Sequence, residues 1–269
     1  MSGDLLLGID IGTYSSKGVL CDPEGHVLDQ TEVEHGLAVP RPGWAEQDAD
    51  AIWWEDFVRI CRQLVTPSRR DAIAAVGVSA IGPCLLPLDA GGHPLRPGIL
   101  YGIDTRASAE VAELTAAIGE RELLAQGGMA LSSQAIGPKL LWLRRQEPEV
   151  YAKTRSVLTA SGYLVYRLTG EQVIDPHTAS HYNPLFDPAR IAWSDRYADR
   201  IAPTELLPRL CWPTEVAGTV TTAAAGETGL PPGIPVGGGT VDAAAEATSV
   251  GVISPGDLML MYGTTCLFI

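Results

Sequence analysis

The chain opens with short apolar runs separated by turns. Leu5-Leu6-Leu7-Gly8-Ile9-Asp10-Ile11 reads as a buried strand, Gly12-Thr13-Tyr14-Ser15 as a tight turn and residues 16–21 as a second strand. After the turn Asp22-Pro23-Glu24-Gly25, residues 26–33 give a third. Three consecutive strands with tight turns predict an antiparallel meander, which is not how a dinucleotide-binding βαβ unit begins. The period then lengthens. Trp53, Trp54, Phe57, Ile60, Cys61 and Leu64 recur at helical spacing, and Asp48 or Asp50 suits the cap. Residues 72–81 and 84–88 read as strands, and 106–118 and 138–145 as helices. Residues 161–168 predict a helix closed by Gly170.

Further on, Pro231-Pro232-Gly233-Ile234-Pro235 leads into Gly237-Gly238-Gly239-Thr240. An Ala-rich helix is expected over 242–249, and a strand over 258–262 that runs into Gly263-Thr264-Thr265. Strands first, then strands alternating with helices, predict an α/β fold with a mixed sheet.

Composition narrows the function classes. A formal charge of −13 and a pI near 4.7 disfavour a nucleic-acid duplex or an anionic membrane as partner, because either calls for a basic stripe. The five cysteines are odd in number, dispersed and without a Cys-x-x-Cys pair, which argues against a disulfide framework or thiolate metal site and for a reducing cytoplasm. No apolar run approaches the ~20 residues of a membrane span, and Asp4 stands where a signal peptide would carry positive charge.

Two strand-then-turn elements carry the chemistry. Asp10-Ile11-Gly12-Thr13, followed by Ser15, Ser16 and Lys17, places amides, small hydroxyls and one cation at the mouth of a hairpin, a setting that suits phosphate oxygens. Met261-Tyr262-Gly263-Thr264 repeats the pattern at the far end. Either turn alone reads more plainly as a hairpin that needs glycine. Both together, with an acid just inside the first, favour phosphate binding.

Gly8-Ile9-Asp10-Ile11-Gly12-Thr13-x-Ser15-Ser16-Lys17 resembles the first phosphate motif of the FGGY carbohydrate kinases, within the actin, hexokinase and Hsp70 superfamily. Similar to xylulokinase-like members are also Pro42-Gly43-Trp44-Ala45-Glu46-Gln47-Asp48 with Trp53-Trp54, and Leu95-Arg96-Pro97-Gly98-Ile99-Leu100-Tyr101. So are Asp104-Thr105-Arg106, Pro138-Lys139-Leu140-Leu141-Trp142-Leu143, residues 162–170 and Gly237-Gly238-Gly239-Thr240-Val241-Asp242. The order of many motifs makes the resemblance specific. It implies an RNase H-like (actin-like ATPase) domain, a mixed sheet flanked by helices. Residues 1–250 would be the N-terminal sugar-binding domain and 251–269 the start of a C-terminal nucleotide-binding domain. The chain by itself is expected to be inactive.

The resemblance also implies residue roles. Asp242, after a Gly-rich strand end and at the head of an Ala-rich helix, would be the general base, with a plain helix cap as the alternative. Asp10 would hold the Mg²⁺ of MgATP, usually through water, or else be a buried acid satisfied by turn amides. Gly12, Thr13, Ser15 and Ser16 would meet the phosphates, and Lys17 would join them or merely flank the strand. Gly263, Thr264 and Thr265 would belong to the opposite phosphate wall. Asp104 and Arg106 resemble a pair beside the sugar pocket, where a carboxylate and a planar fork of donors suit a polyhydroxy ligand; an intradomain ion pair is compatible with that. Trp44 and Tyr101 are candidates for stacking on the sugar, whereas Trp53, Trp54 and Trp142 read as core.

The implied function is transfer of the γ-phosphate of ATP, with Mg²⁺, to a sugar hydroxyl, in the first place on a ketopentose of the xylulose or ribulose type. Kinases of glycerol, a hexose or a sugar acid are the near alternatives, and a non-catalytic sugar binder or a chaperone- or actin-like ATPase the distant ones. The partner implied is a small-molecule sugar, with no nucleic acid and no membrane; a homodimer is allowed. Three departures leave the substrate open. Ala80-Ile81-Gly82-Pro83-Cys84 stands where xylulokinase-like enzymes carry Gln, Met and His, Ala243 follows Asp242 where relatives often have Asn or Gln, and Gly102 is an extra residue.

Overall fold

A computed structural model describes residues 4–262 and 266–269. The N-terminal runs form β1 (Leu5–Ile11), β2 (Ser15–Cys21) and β3 (Val27–Glu34), paired antiparallel in that order. Strand Ile73–Ala80 lies parallel to β1 on its free side. Pro235–Gly237 and Thr240–Val241 both pair parallel with Ile73–Ala80, and Val216–Thr219 runs antiparallel at the edge. The result is the expected RNase H-like, actin-like architecture, a seven-stranded mixed sheet with helices packed on it.

Alternation along the strands decides what each face does. In β1, Leu7, Ile9 and Ile11 are fully buried in the core, whereas Gly8 and Asp10 point to the other, half-open face. The covered face is packed by α1 (Glu55–Leu64) and by helices Ala160–Thr169 and Thr222–Thr228. At Gly18 of β2, α1 approaches so closely that a Cβ would lie 2.2 Å from Ile60 Cγ2. Asp48 caps the chain's entry into α1, accepting from the Asp50 and Ala51 amides at 2.9 and 2.8 Å. Asp50, the other candidate, instead accepts from the Tyr163 hydroxyl at 2.5 Å.

A second apolar core, with Leu85, Leu114, Leu140, Tyr182 and Ile201 among its members, is built by residues between the strands of the main sheet. Helices Ser108–Ile118, Glu120–Gly127 and Ile136–Gln146 contribute to it, the last with Ile136, Leu140, Leu141, Trp142 and Leu143. The expected strand over 84–88 shortens to Leu86–Leu88 and leaves the main sheet to pair with Ser156–Leu158, since Gly82-Pro83 breaks the extended run. The helix expected from residue 106 starts at Ser108, after a turn in which the Asp104 carboxylate accepts from the Arg106 amide at 3.1 Å. Among the described residues, no helix is long and apolar enough to cross a membrane.

Candidate active site

The turn after β1 is closed by the Gly12 amide, which donates to the Ser15 carbonyl at 2.9 Å; a Cβ at Gly12 would sit 2.6 Å from that oxygen, so only glycine fits. Asp10, one residue pair inside the turn, lies opposite Lys17 on β2 and opposite Ser79 on the other side. The Ser79 hydroxyl donates to Asp10 Oδ1 at 2.7 Å. Burial raises the Asp10 pKa above the ordinary carboxylate value, against the lowering effects of Ser79 and Lys17. Asp10, Lys17, Ser79 and Thr240 share a cavity of about 340 Å³ on the half-open face.

Asp242 is the first residue of helix Asp242–Ser249, and Val241 takes the cap position. Thr240 pairs with Ser79, which also faces Asp10, so Asp10 and Thr240 are two strands apart, about 10 Å between backbones. Both acids therefore sit at the carboxyl ends of parallel strands, where open α/β sheets place their ligands. Burial pushes the Asp242 carboxyl up to about 7, helped by the negative charges of Asp10 and Glu246 and opposed by the amides of Ala243 and Gly82. The Ala243 amide donates to Asp242 Oδ1 at 2.8 Å. Burial likewise raises Glu246, with Asp10 adding to it and Lys17 opposing.

Asp10, Asp242 and Glu246 are thus all held above their ordinary pKa, chiefly by burial. Among the described residues, no group of three His, Cys, Asp or Glu side chains is close enough to cage a metal alone. A Mg²⁺ at Asp10 would take most of its ligands from water and phosphate, as that ion prefers.

The other sequence-derived residues divide. Thr13 is at the turn, its Oγ1 3.0 Å from the Tyr101 hydroxyl, and half-buried Ser15 starts β2. Ser16 is a correction: alternation turns its side chain inward, fully buried, where its hydroxyl donates to Asp56 Oδ2 at 2.9 Å instead of facing the mouth. Asp104 and Arg106 are a second correction. Both side chains are wholly enclosed, with Arg106 Nη2 2.7 Å from Asp104 Oδ2 and the Ala45 amide donating to that oxygen at 2.7 Å. Arg106 also lies 2.7 Å from Glu46 and stacks on Trp44, 4.0 Å from the ring centroid. Neither side chain is exposed to solvent, and Asp104 borders a cavity of about 120 Å³ that it shares with Thr105, Ser132 and Lys139. Trp44 packs edge-on against Trp142 at 5.3 Å and under Arg106, as part of the wall. Gly263, Thr264 and Thr265 lie outside the described residues.

Sequence reasoning missed several neighbours. Lys139 is 1% exposed and donates to the Leu100 and Tyr101 carbonyls at 2.6 and 2.9 Å, which anchors the Tyr101 backbone. Burial lowers its pKa to about 8, against the opposing charge of Asp104. A lysine among Leu140, Leu141, Trp142 and Leu143 was the available signal. Ser79 and Glu246 were also missed; nothing local marks a serine in a strand, and Glu246 was legible only as one helical turn from Asp242.

Residues 5–249 match the FGGY family of carbohydrate kinases, N-terminal domain, and the chain belongs to that family. It is 30% identical over 265 residues to the xylulose kinase of Escherichia coli strain K12, covering 98% of this chain and 54% of that protein. It is 31% identical over 263 residues to the glycerol kinase of Nocardia farcinica, covering 95% and 51%. The crystal structure of xylulose kinase from Rhodospirillum rubrum superposes with a TM-score of 0.90 at 32% identity, over 96% of this chain and 54% of that one. The chain thus spans about half the length of the curated relatives it matches.

Proposed function

We propose that this chain forms the sugar-facing lobe of an ATP-dependent carbohydrate kinase, with Asp242 as general base. The observation that carries the reading is the placement of Asp10 and Asp242 at the carboxyl ends of the two strands that flank Ile73–Ala80, with Asp10 and Thr240, two residues before Asp242, lining one cavity. Asp242 takes the proton of the attacking sugar hydroxyl as its oxygen bonds to the γ-phosphorus and the bond to the bridging oxygen of ADP breaks. A carboxyl near pKa 7 is well matched to that work, since a base is most useful when its pKa is close to ambient pH. Magnesium, when bound with ATP, would neutralise developing phosphate charge. Asp10 would hold it, and Thr13, Ser15, Lys17 and the amides of the turn would face the phosphates.

Tyr101, tethered by Lys139 and bonded through its hydroxyl to Thr13, is the aromatic of the sugar side. The Asp104–Arg106 pair supports that wall from behind. A ketopentose is the substrate we favour, because relatives named xylulose kinase recur and the motif order is similar to theirs. Residues 251–269 would begin the second lobe: the family match stops at residue 249, and Leu260–Tyr262 pairs with Cys266–Phe268 in a separate two-stranded sheet. The test is ADP release by the intact enzyme with MgATP and a panel of ketopentoses, glycerol, hexoses and sugar acids. Strong stimulation by a ketopentose is expected. ATP hydrolysis indifferent to every sugar would overturn the reading.

A further inference from the structure

Beneath the Gly12–Ser15 turn lies a buried polar network that the phosphoryl chemistry above does not use. The side chains of His35 and Asp56 are 6% and 4% exposed, with His35 Nδ1 2.7 Å from Asp56 Oδ2. The other ring nitrogen, His35 Nε2, is 3.1 Å from the Gly12 carbonyl oxygen. Beside it, Gln47 Nε2 donates to the Thr13 carbonyl at 3.0 Å, and Gln47 Oε1 accepts from Trp53 Nε1 at 2.8 Å. Two successive carbonyls of the turn are thereby drawn toward the core by side chains from β3's end and from the segment before α1.

A peptide unit is planar and trans, so its C=O and the following N–H point in opposite directions. Pinning the Gly12 carbonyl inward aims the Thr13 amide outward, and pinning the Thr13 carbonyl aims the Tyr14 amide outward. Among the described residues, neither of those amides donates to another group of the chain. Asp56 Oδ2 and the Gly12 carbonyl oxygen only accept, whereas the Gln47 amide nitrogen, 3.3 Å from Nε2, only donates; with the shorter 3.1 Å contact of Nε2 going to Gly12, the doubly protonated ring is the form in which His35 donates through both nitrogens. A charged donor on the Gly12 carbonyl also polarises that peptide and strengthens its outward N–H.

We propose that His35, braced by Asp56, is a positioning residue that orients the Thr13 and Tyr14 amides as a phosphate cradle for the nucleotide. This rests on the kinase reading, in which the turn faces the phosphates. Because preorganised donors contribute far more than loose ones, releasing the Gly12 carbonyl weakens nucleotide use and leaves the sugar side alone.

Two conservative substitutions separate positioning from mere stability. In His35→Gln, the amide nitrogen falls near the position of Nε2 and keeps the donor to Gly12. In His35→Asn, it falls near Nδ1, keeps the contact with Asp56 and releases Gly12. In the intact enzyme, His35→Asn is expected to raise KM for MgATP about tenfold, as for loss of a charge-assisted hydrogen bond. Its KM for sugar should stay unchanged, and His35→Gln should stay within about threefold of wild type, as an order-of-magnitude bound. Equal nucleotide KM values in both variants, or equal losses in both, would overturn the proposal. A measurement without stable variants is the ¹⁵N spectrum of the His35 ring in the wild-type enzyme at neutral pH. Both nitrogens should be protonated; a bare Nε2 would overturn the proposal. A wild-type enzyme with no sugar-dependent turnover would instead count against the kinase reading itself, which these spectra do not depend on.

Discussion

Asp242 is held in a state that unfolding would reverse. Its carboxyl titrates at about 7 in the fold, mainly through burial, against about 3.9 for an unfolded aspartate. A pKa raised by folding means that the folded chain binds the proton more tightly. The associated stability is therefore fully present below about pH 4 and is lost as the pH rises through about 7. Asp242→Asn removes this dependence. Thermal melts of ligand-free protein should show the variant gaining on wild type by a few degrees between pH 4.5 and pH 8, in line with the ~2–4 °C per kcal/mol of proteins this size. A difference between the two that stays constant across that range would mean that Asp242 is not desolvated.

At the scale of elements, the Asp104–Arg106 pair ties the loop before Ser108–Ile118 to the Ala45 amide, to Glu46 and to the ring of Trp44. Asp104→Ala leaves a buried guanidinium with one acid fewer, and breaking such a pair typically costs ~3–5 kcal/mol. Chemical denaturation should show a loss of that order, with sugar KM in the surviving folded enzyme altered only through the Tyr101 wall. A variant of unchanged stability but much weaker sugar affinity would return Asp104 to direct contact.

This pair also shows what the sequence conveys. The meander, the helix over 242–249 and the Asp48 cap on the helical turn Ala49–Trp54 that leads into α1 follow from periodicity and turn chemistry, which are local, and the structure has them where they are expected. Ser16 was misplaced although the needed information was present: strand alternation sends Ser15 and Lys17 to one face and Ser16 to the other. His35, Gln47 and Asp56 are a different matter. They meet only after β3, the segment before α1 and α1 itself have packed, and no spacing in the sequence brings residues 12, 35, 47 and 56 together.

For the whole molecule, the half-open sheet face and the C-terminal segment leave apolar surface uncovered. Ile253, Leu258, Leu260 and Phe268 are 77%, 61%, 53% and 71% exposed, which is a large concentration of exposed apolar side chains in so short a stretch. A second lobe folding against this end would bury them and close the cavity that Asp10, Lys17 and Thr240 line. Closure of such a cavity would also exclude water, which strengthens electrostatic interactions inside it. The central claim is that Asp242 performs the proton transfer within that closed site. Steady-state kinetics and sugar calorimetry on intact wild-type and Asp242→Asn enzyme test it most directly. The account predicts that kcat falls by ~10²–10⁴, as for loss of a general base, while sugar affinity is nearly unchanged; activity within threefold of wild type would contradict it.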